Sequence, residues 1–219
     1  MKRSFPYVSA AGALAVIVTA ACTTATQRSP SGDVRPAALA RADSGRPPDA
    51  AADVHFMAGM IRHHAQAVLM AGWAPSHGAS AAVRVLCERI IVAQNDEIAL
   101  AQRWLRERHE SVPDADPRGQ TMPGVDHPMP MPGMLTPEQL AQLDSARGPE
   151  FDRLFLTFMI QHHRGAITLV RQLFDTPAAA RDGLLFQFAS DVNADQITEI
   201  DRMTRMLDAL SQTPQRSPQ

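Results

Sequence analysis

The 219-residue sequence predicts an all-α domain of four long helices, with a fifth, short one near residues 137 to 146 and no sheet. Three observations lead there. Apolar residues recur at helical spacing over four long stretches, and no segment alternates apolar and polar residues with β-branched enrichment. Good helix formers (Ala, Leu, Arg, Gln and Glu) fill those stretches. One block of sequence is also repeated. Asp53, Phe56, Met60, Ile61, His63, His64 and Ala67 recur as Asp152, Phe155, Met159, Ile160, His162, His163 and Ala166, each 99 positions later. Ile90, Gln94, Glu97 and Ile98 recur as Val192, Gln196, Glu199 and Ile200, 102 positions later.

Residues 1 to 21 read as a secretory signal: Lys2 and Arg3, an apolar run from Ala10 to Val18, then small residues. The run is shorter than the ~20 residues a bilayer span needs. Cys22 follows Val18-Thr19-Ala20-Ala21 and resembles the acylated cysteine of bacterial lipoproteins, although Thr19 stands where Leu is usual. Export to the periplasm or the outer face of the cell membrane is expected, with a lipid on Cys22 or simple cleavage as the two alternatives. Residues 22 to 48 are rich in Thr, Ser, Pro, Ala and Arg and read as a flexible tether, because so little apolar surface cannot offset ordering entropy.

The folded part is expected over residues 49 to 210. Its first repeat, 49 to 108, holds a helix from Asp49 to Trp73, a break at Pro75 to Gly78, and a helix from Ala79 to Arg108. A linker spans 109 to 148, and within it Thr136-Pro137-Glu138-Gln139 has the N-cap, first-turn proline and reaching Gln of a helix start. The second repeat, 149 to 210, holds a helix from Pro149 to Phe174, ended by Asp175-Thr176-Pro177, and a helix from Ala178 to Leu210. Residues 211 to 219 form a polar tail.

Each hairpin carries an apolar stripe that it cannot bury alone. Two of them imply a pseudo-two-fold four-helix bundle, and the long linker permits a crossover as in ferritin-like folds. That crossover sets the first and third long helices antiparallel, with their His-His pairs meeting near mid-bundle.

Loss of Lys2 and Arg3 with the leader leaves 19 basic residues against 23 acidic ones, a net charge of −4. With no basic patch, nucleic acid is not an expected partner. Once Cys22 is modified or lost, Cys87 is the sole thiol and no internal disulfide can form. Cys87 falls on the core stripe of its helix and reads as inert packing.

The chemistry-bearing residues lie on the repeat. Asp53, Met57, Met60, His64 and Val68 share one helical stripe, matched by Asp152, Leu156, Met159, His163 and Ile167. Adjacent His residues point ~100° apart, so one of each pair faces inward and the other a groove or neighbouring helix. Met placed three or four positions before His puts a soft thioether beside a borderline imidazole, a donor set suited to Cu(I) and Ag(I) rather than Mg or Ca. Zinc and iron fit it less well. A single Met or inward His is more often core filler. The same Met-Ile-x-His-His placed twice at matching sites favours ligation. Affinity would then fall as pH drops through the histidine range near ~6.5.

Gln94 with Glu97, and Gln196 with Glu199, share a face and would orient the His rings through their second nitrogens. Asp53 and Asp152 are grouped with these supports, and equally suit helix-start electrostatics. Met122, His127, Met129, Met131 and Met134 cluster in the proline-studded linker. A flexible soft-ion ligand there competes with packing of the loop on the bundle.

The segments Asp53-Val-His-Phe-Met-Ala-Gly-Met-Ile-Arg-His-His-Ala-Gln-Ala, Phe151 to Ile167, Pro132-Gly-Met-Leu-Thr-Pro-Glu and the two Gln-x-x-Glu-Ile motifs resemble the domain-of-unknown-function 305 family. The resemblance covers about residues 49 to 210. It implies a ferritin-like helical bundle, exported or envelope-anchored, with copper or silver binding and metal tolerance in some relatives. Arg62 departs from the Pro common before His-His, and Leu156, Leu169 and Val170 stand where softer residues are frequent. The first copy, with Met57, Met60, His63, His64 and Met70, is therefore expected to bind better than Met159, His162 and His163. The expected function is extracytoplasmic binding of Cu(I) or Ag(I) for buffering, delivery or tolerance. The alternatives are a ferritin-like redox metalloenzyme and a structural or partner-binding bundle.

Overall fold

The computed structural model describes residues 48–118 and 131–212. The expected leader, most of the tether, the tail beyond 212, and Cys22, Met122, His127 and Met129 lie outside the described residues. Five helices follow one another: α1 (Pro48–Gly72), α2 (Ala81–Glu107), α3 (Pro137–Ser145), α4 (Pro149–Asp175) and α5 (Gly183–Gln212). No strand occurs among the described residues.

Local chemistry sets the helix starts. Ser80 caps α2, its side chain accepting from Val83 N at 3.4 Å. At α3 the capping box is complete: Thr136 Oγ1 accepts from Gln139 N at 3.2 Å, and Gln139 Oε1 accepts from Thr136 N at 3.0 Å. The start of α5 differs from the sequence expectation. The helix opens at Gly183, not at Ala178, because Ala178 and Ala180 take left-handed backbone angles, φ 68° and 54°. A run of alanines has no intrinsic reason to break. The turn is held from outside, by Asp53 Oδ1 accepting from Ala180 N at 2.8 Å, and Asp182 Oδ1 then caps α5 by accepting from Leu185 N at 2.9 Å.

That contact has a counterpart. The Asp152 carboxylate accepts from Ser80 N at 3.1 and 3.2 Å. The start of α1 therefore grips the turn after α4, and the start of α4 grips the turn after α1, so α1 and α4 run antiparallel. α1 packs along α2, α4 along α5, and α1 meets α4 across the middle.

Two apolar clusters form the core. One gathers Phe56, Met57, Met60, Ile98, Leu105, Leu169 and Leu185; the other gathers Met70, Leu86, Cys87, Phe151, Phe155, Met159 and Met203. Between them along every long helix lies a polar interval: His63, His64 and Gln66 on α1, Gln94 on α2, His162 and His163 on α4, Gln196 on α5, all buried. Among the described residues no helix is long and apolar enough to cross a membrane.

Candidate metal centre

Four imidazoles occupy the middle of this polar interval. His63 and His162 come together from α1 and α4, with ring centroids 3.9 Å apart. Their exposure is nil, as is that of His163, and His64 is 1% exposed. His64 Nε2 stands 3.0 Å from Glu97 Oε2, and His163 Nε2 bonds Glu199 Oε2 at 2.6 Å. His63 Nε2 lies 3.1 Å from the Pro132 carbonyl oxygen. A carbonyl or carboxylate oxygen only accepts, so Nε2 carries the proton in His63 and His163 and the lone pair is on Nδ1.

All four Nδ1 atoms are buried without a hydrogen-bond partner within the protein, and His162 Nε2 is also unpartnered. Leaving such atoms unpaired costs ~1–3 kcal/mol each. The residues present therefore fit a soft ion: buried imidazole nitrogens, with the opposite nitrogen already tied down in His63 and His163. Burial first, and then the neighbouring His64, push the His63 pKa down to about 3. Burial first, and then His63, also hold His162 well below its ordinary value. Both rings stay neutral far below pH 6.5. The protein interior thus disfavours protonation of these two rings in the range where an exposed histidine titrates.

Thioethers flank the rings on both sides. Met57 and Met60 lie in one apolar cluster, Met70 and Met159 in the other, all with no exposure. Met70 stands apart from Met57 and Met60, in the other cluster. Met60 and Met70 are ~15 Å apart along one helix, so they cannot share an ion. The antiparallel packing instead returns Met70 to the Met159 side. Met131 and Met134 of the linker are buried too. Asp53 and Asp152 sit at the helix starts, engaged with the turn amides. Gln94 and Gln196 lie in the polar interval, with both amide atoms of Gln94 and Oε1 of Gln196 unpartnered. Among the described residues, no three His, Cys, Asp or Glu side chains converge on one point.

Sequence reasoning gave no role to Gln66, Pro132 and Gly165, which attach the linker to the site. Gln66 is fully buried and holds both backbone groups of Leu135, accepting from N at 2.7 Å and donating to O at 3.3 Å. A Cβ on Gly165 would fall 2.0 Å from Pro132 O, and Gly133 (φ +77°) packs against Gly165 Cα. The available signal was a glycine in the middle of a helix, which costs ~0.5–1 kcal/mol and marks a close approach.

The family model for DUF305, a domain of unknown function, matches residues 53–207. The chain belongs to the DUF305 family. Its fold is similar to that of a DUF305 protein of Streptomyces coelicolor whose description proposes secretion (TM-score 0.63, 24% identity, 76% of this chain and 98% of that one). A DUF305 fragment from Deinococcus radiodurans is similar as well (TM-score 0.61, 23% identity, 74% and 99%). So is CopM in its Cu(II)-bound form (TM-score 0.55, 26% identity, 72% and 96%), and CopM is also known in Cu(I)-bound and Ag-bound forms. No curated protein matches the chain.

Proposed function

We propose that this DUF305 protein is an extracytoplasmic carrier of Cu(I) or Ag(I), serving buffering, delivery or tolerance, and that its helices form a ferritin-like four-helix bundle around the ion. The observation that carries the reading is the set of four buried, unpartnered Nδ1 atoms. Cu(I) accepts two to four soft or imidazole donors, so paired imidazoles with a thioether suffice where a cage for a harder ion would need more. His63 and His162 are the principal ligands, Met60 and Met159 the thioethers nearest them in sequence register. His64 and His163 stand beside them, with Glu97 and Glu199 at their Nε2 atoms. CopM, a relative in fold, is known with copper and silver bound. The leader and the cysteine at position 22 support export, with a lipid on Cys22 as the finer expectation.

Native mass spectrometry of the protein titrated with Cu(I) and Ag(I) tests this. The reading expects a defined adduct that survives an excess of Mg(II), and that is lost when His63 and His162 are both replaced by Gln while circular dichroism shows the helices intact.

A further inference from the structure

The two repeats differ at a position beside their histidines. Gln66 follows His63 by three residues, and the matched position, 99 residues later and three after His162, is Gly165. The linker engages both. Gln66 Nε2 donates to Pro117 O at 3.1 Å and to Leu135 O at 3.3 Å, while Gln66 Oε1 accepts from Leu135 N at 2.7 Å. One buried side chain on α1 thus holds both stems of the linker. On α4, Gly165 leaves the space that the Pro132 backbone fills, since a Cβ there would fall 2.0 Å from Pro132 O. Held in this way, Pro132 O lies 3.1 Å from His63 Nε2. His162 has no matching contact, and neither of its ring nitrogens has a hydrogen-bond partner.

We propose that Gln66 is a positioning residue of the metal centre: by clamping the linker on α1 it holds the Pro132 carbonyl on His63 Nε2, which keeps the ring proton there and presents Nδ1 as the donor. The inference rests on the soft-ion reading of the imidazole layer and adds to it an inequality between the two copies. A neutral imidazole carries one N–H and one lone pair, so a partner that holds the proton on one nitrogen makes the other the metal ligand. His63 is therefore the ligand fixed in tautomer before an ion arrives. His162, with no hydrogen bond at either nitrogen, is left to be set by the ion itself.

The bonding of Gln66 supports this. Gln94 and Gln196, the other buried glutamines among the described residues, leave side-chain atoms unpartnered, and Gln66 leaves none. Its bonds all go to the segments that carry the carbonyl to His63, one helical turn away. Loss of a group that orients a metal-bound histidine lowers affinity by roughly 10- to 100-fold. A side chain that only stabilised the linker would change the melting temperature without changing the ring's tautomer.

Long-range proton–nitrogen NMR of the full-length, metal-free protein at neutral pH reads the His63 tautomer, and competition titration with Ag(I) reads affinity. The parent should carry the His63 proton on Nε2 alone. Gln66→Leu removes all three hydrogen bonds; it should let His63 populate the Nδ1–H form and weaken Ag(I) at least tenfold. Gly165→Ala displaces Pro132 with Gln66 in place and should shift His63 in the same direction, so it decides the matter if circular dichroism shows Gln66→Leu unfolded. A His63 that stays wholly Nε2-protonated in the folded variants overturns the proposal, as does a tautomer shift with Ag(I) affinity unchanged; either result leaves the soft-ion reading intact. A tautomer shift in a protein that takes no Ag(I) in any form, parent included, would remove the soft-ion reading and leave the coupling of Gln66 to His63 standing.

Discussion

A histidine that stays neutral in the fold but titrates near 6.5 when unfolded opposes folding only below that pH. His63, with a folded pKa of about 3, and His162, also lowered, are two such groups. Above pH 6.5 neither contributes a proton difference between the states. Below it the unfolded chain takes up protons that the fold refuses, and stability falls by up to about 1.4 kcal/mol per group per pH unit. Thermal melts of the metal-free protein should therefore be flat between pH 7 and 8 and drop progressively from 6.5 toward 4. The His63→Gln/His162→Gln variant should show a shallower drop, and identical pH profiles for the two proteins would show that these rings are not excluded from protonation. At this scale the sequence was informative about which residue types gather, because Met-Ile-x-His-His occurs twice. It could not reveal that the neutral form is enforced, since that follows from burial contributed by both helices and the linker.

Among the elements, the linker segment from Met131 to Thr136 and the turns between helices carry the clearest dependence on single residues. Gly165 admits the Pro132 carbonyl against α4, and a methyl group there would overlap it. Gly165→Ala should push the segment off His63 and Gln66 and cost ~1–3 kcal/mol, as overpacking does. That corresponds to a fall in melting temperature of several degrees for a domain this size. An unchanged melting temperature would show that the close approach is not maintained in solution. Asp152→Ala removes the acceptor of Ser80 N and should cost ~1 kcal/mol in a urea titration, as loss of a cap does. The helices themselves were legible from periodicity and capping chemistry, down to the box at Thr136 and Gln139. The start of α5 was not. Its alanine-rich approach has helical propensity, and the carboxylate that bends it belongs to Asp53, more than a hundred residues earlier in the chain.

For the whole molecule, the repeat implied two hairpins facing each other, and the crossed grips of Asp53 and Asp152 supply the antiparallel arrangement. The division of the core into two apolar halves around a polar centre follows from it. One half receives Met57 and Met60, both from the first copy, and the other receives Met70, Met159 and Met203 from the two copies together. Because both core clusters are built from residues between Phe56 and Met203, removal of residues 1–47 and 213–219 should leave the melting temperature within a degree or two, and a larger drop would show that a terminal segment docks on the bundle.

The central claim is that the paired imidazoles hold a soft ion as neutral ligands. Its most direct test is the affinity for Cu(I), measured by competition against a chromogenic chelator at pH 7.5 and pH 5.5, for the parent and for His63→Gln/His162→Gln. The account predicts tight binding by the parent that changes little between the two pH values, and a loss of at least a hundredfold in the variant at both. Equal affinity of the two proteins would contradict it and would make the histidine layer a structural feature of the bundle.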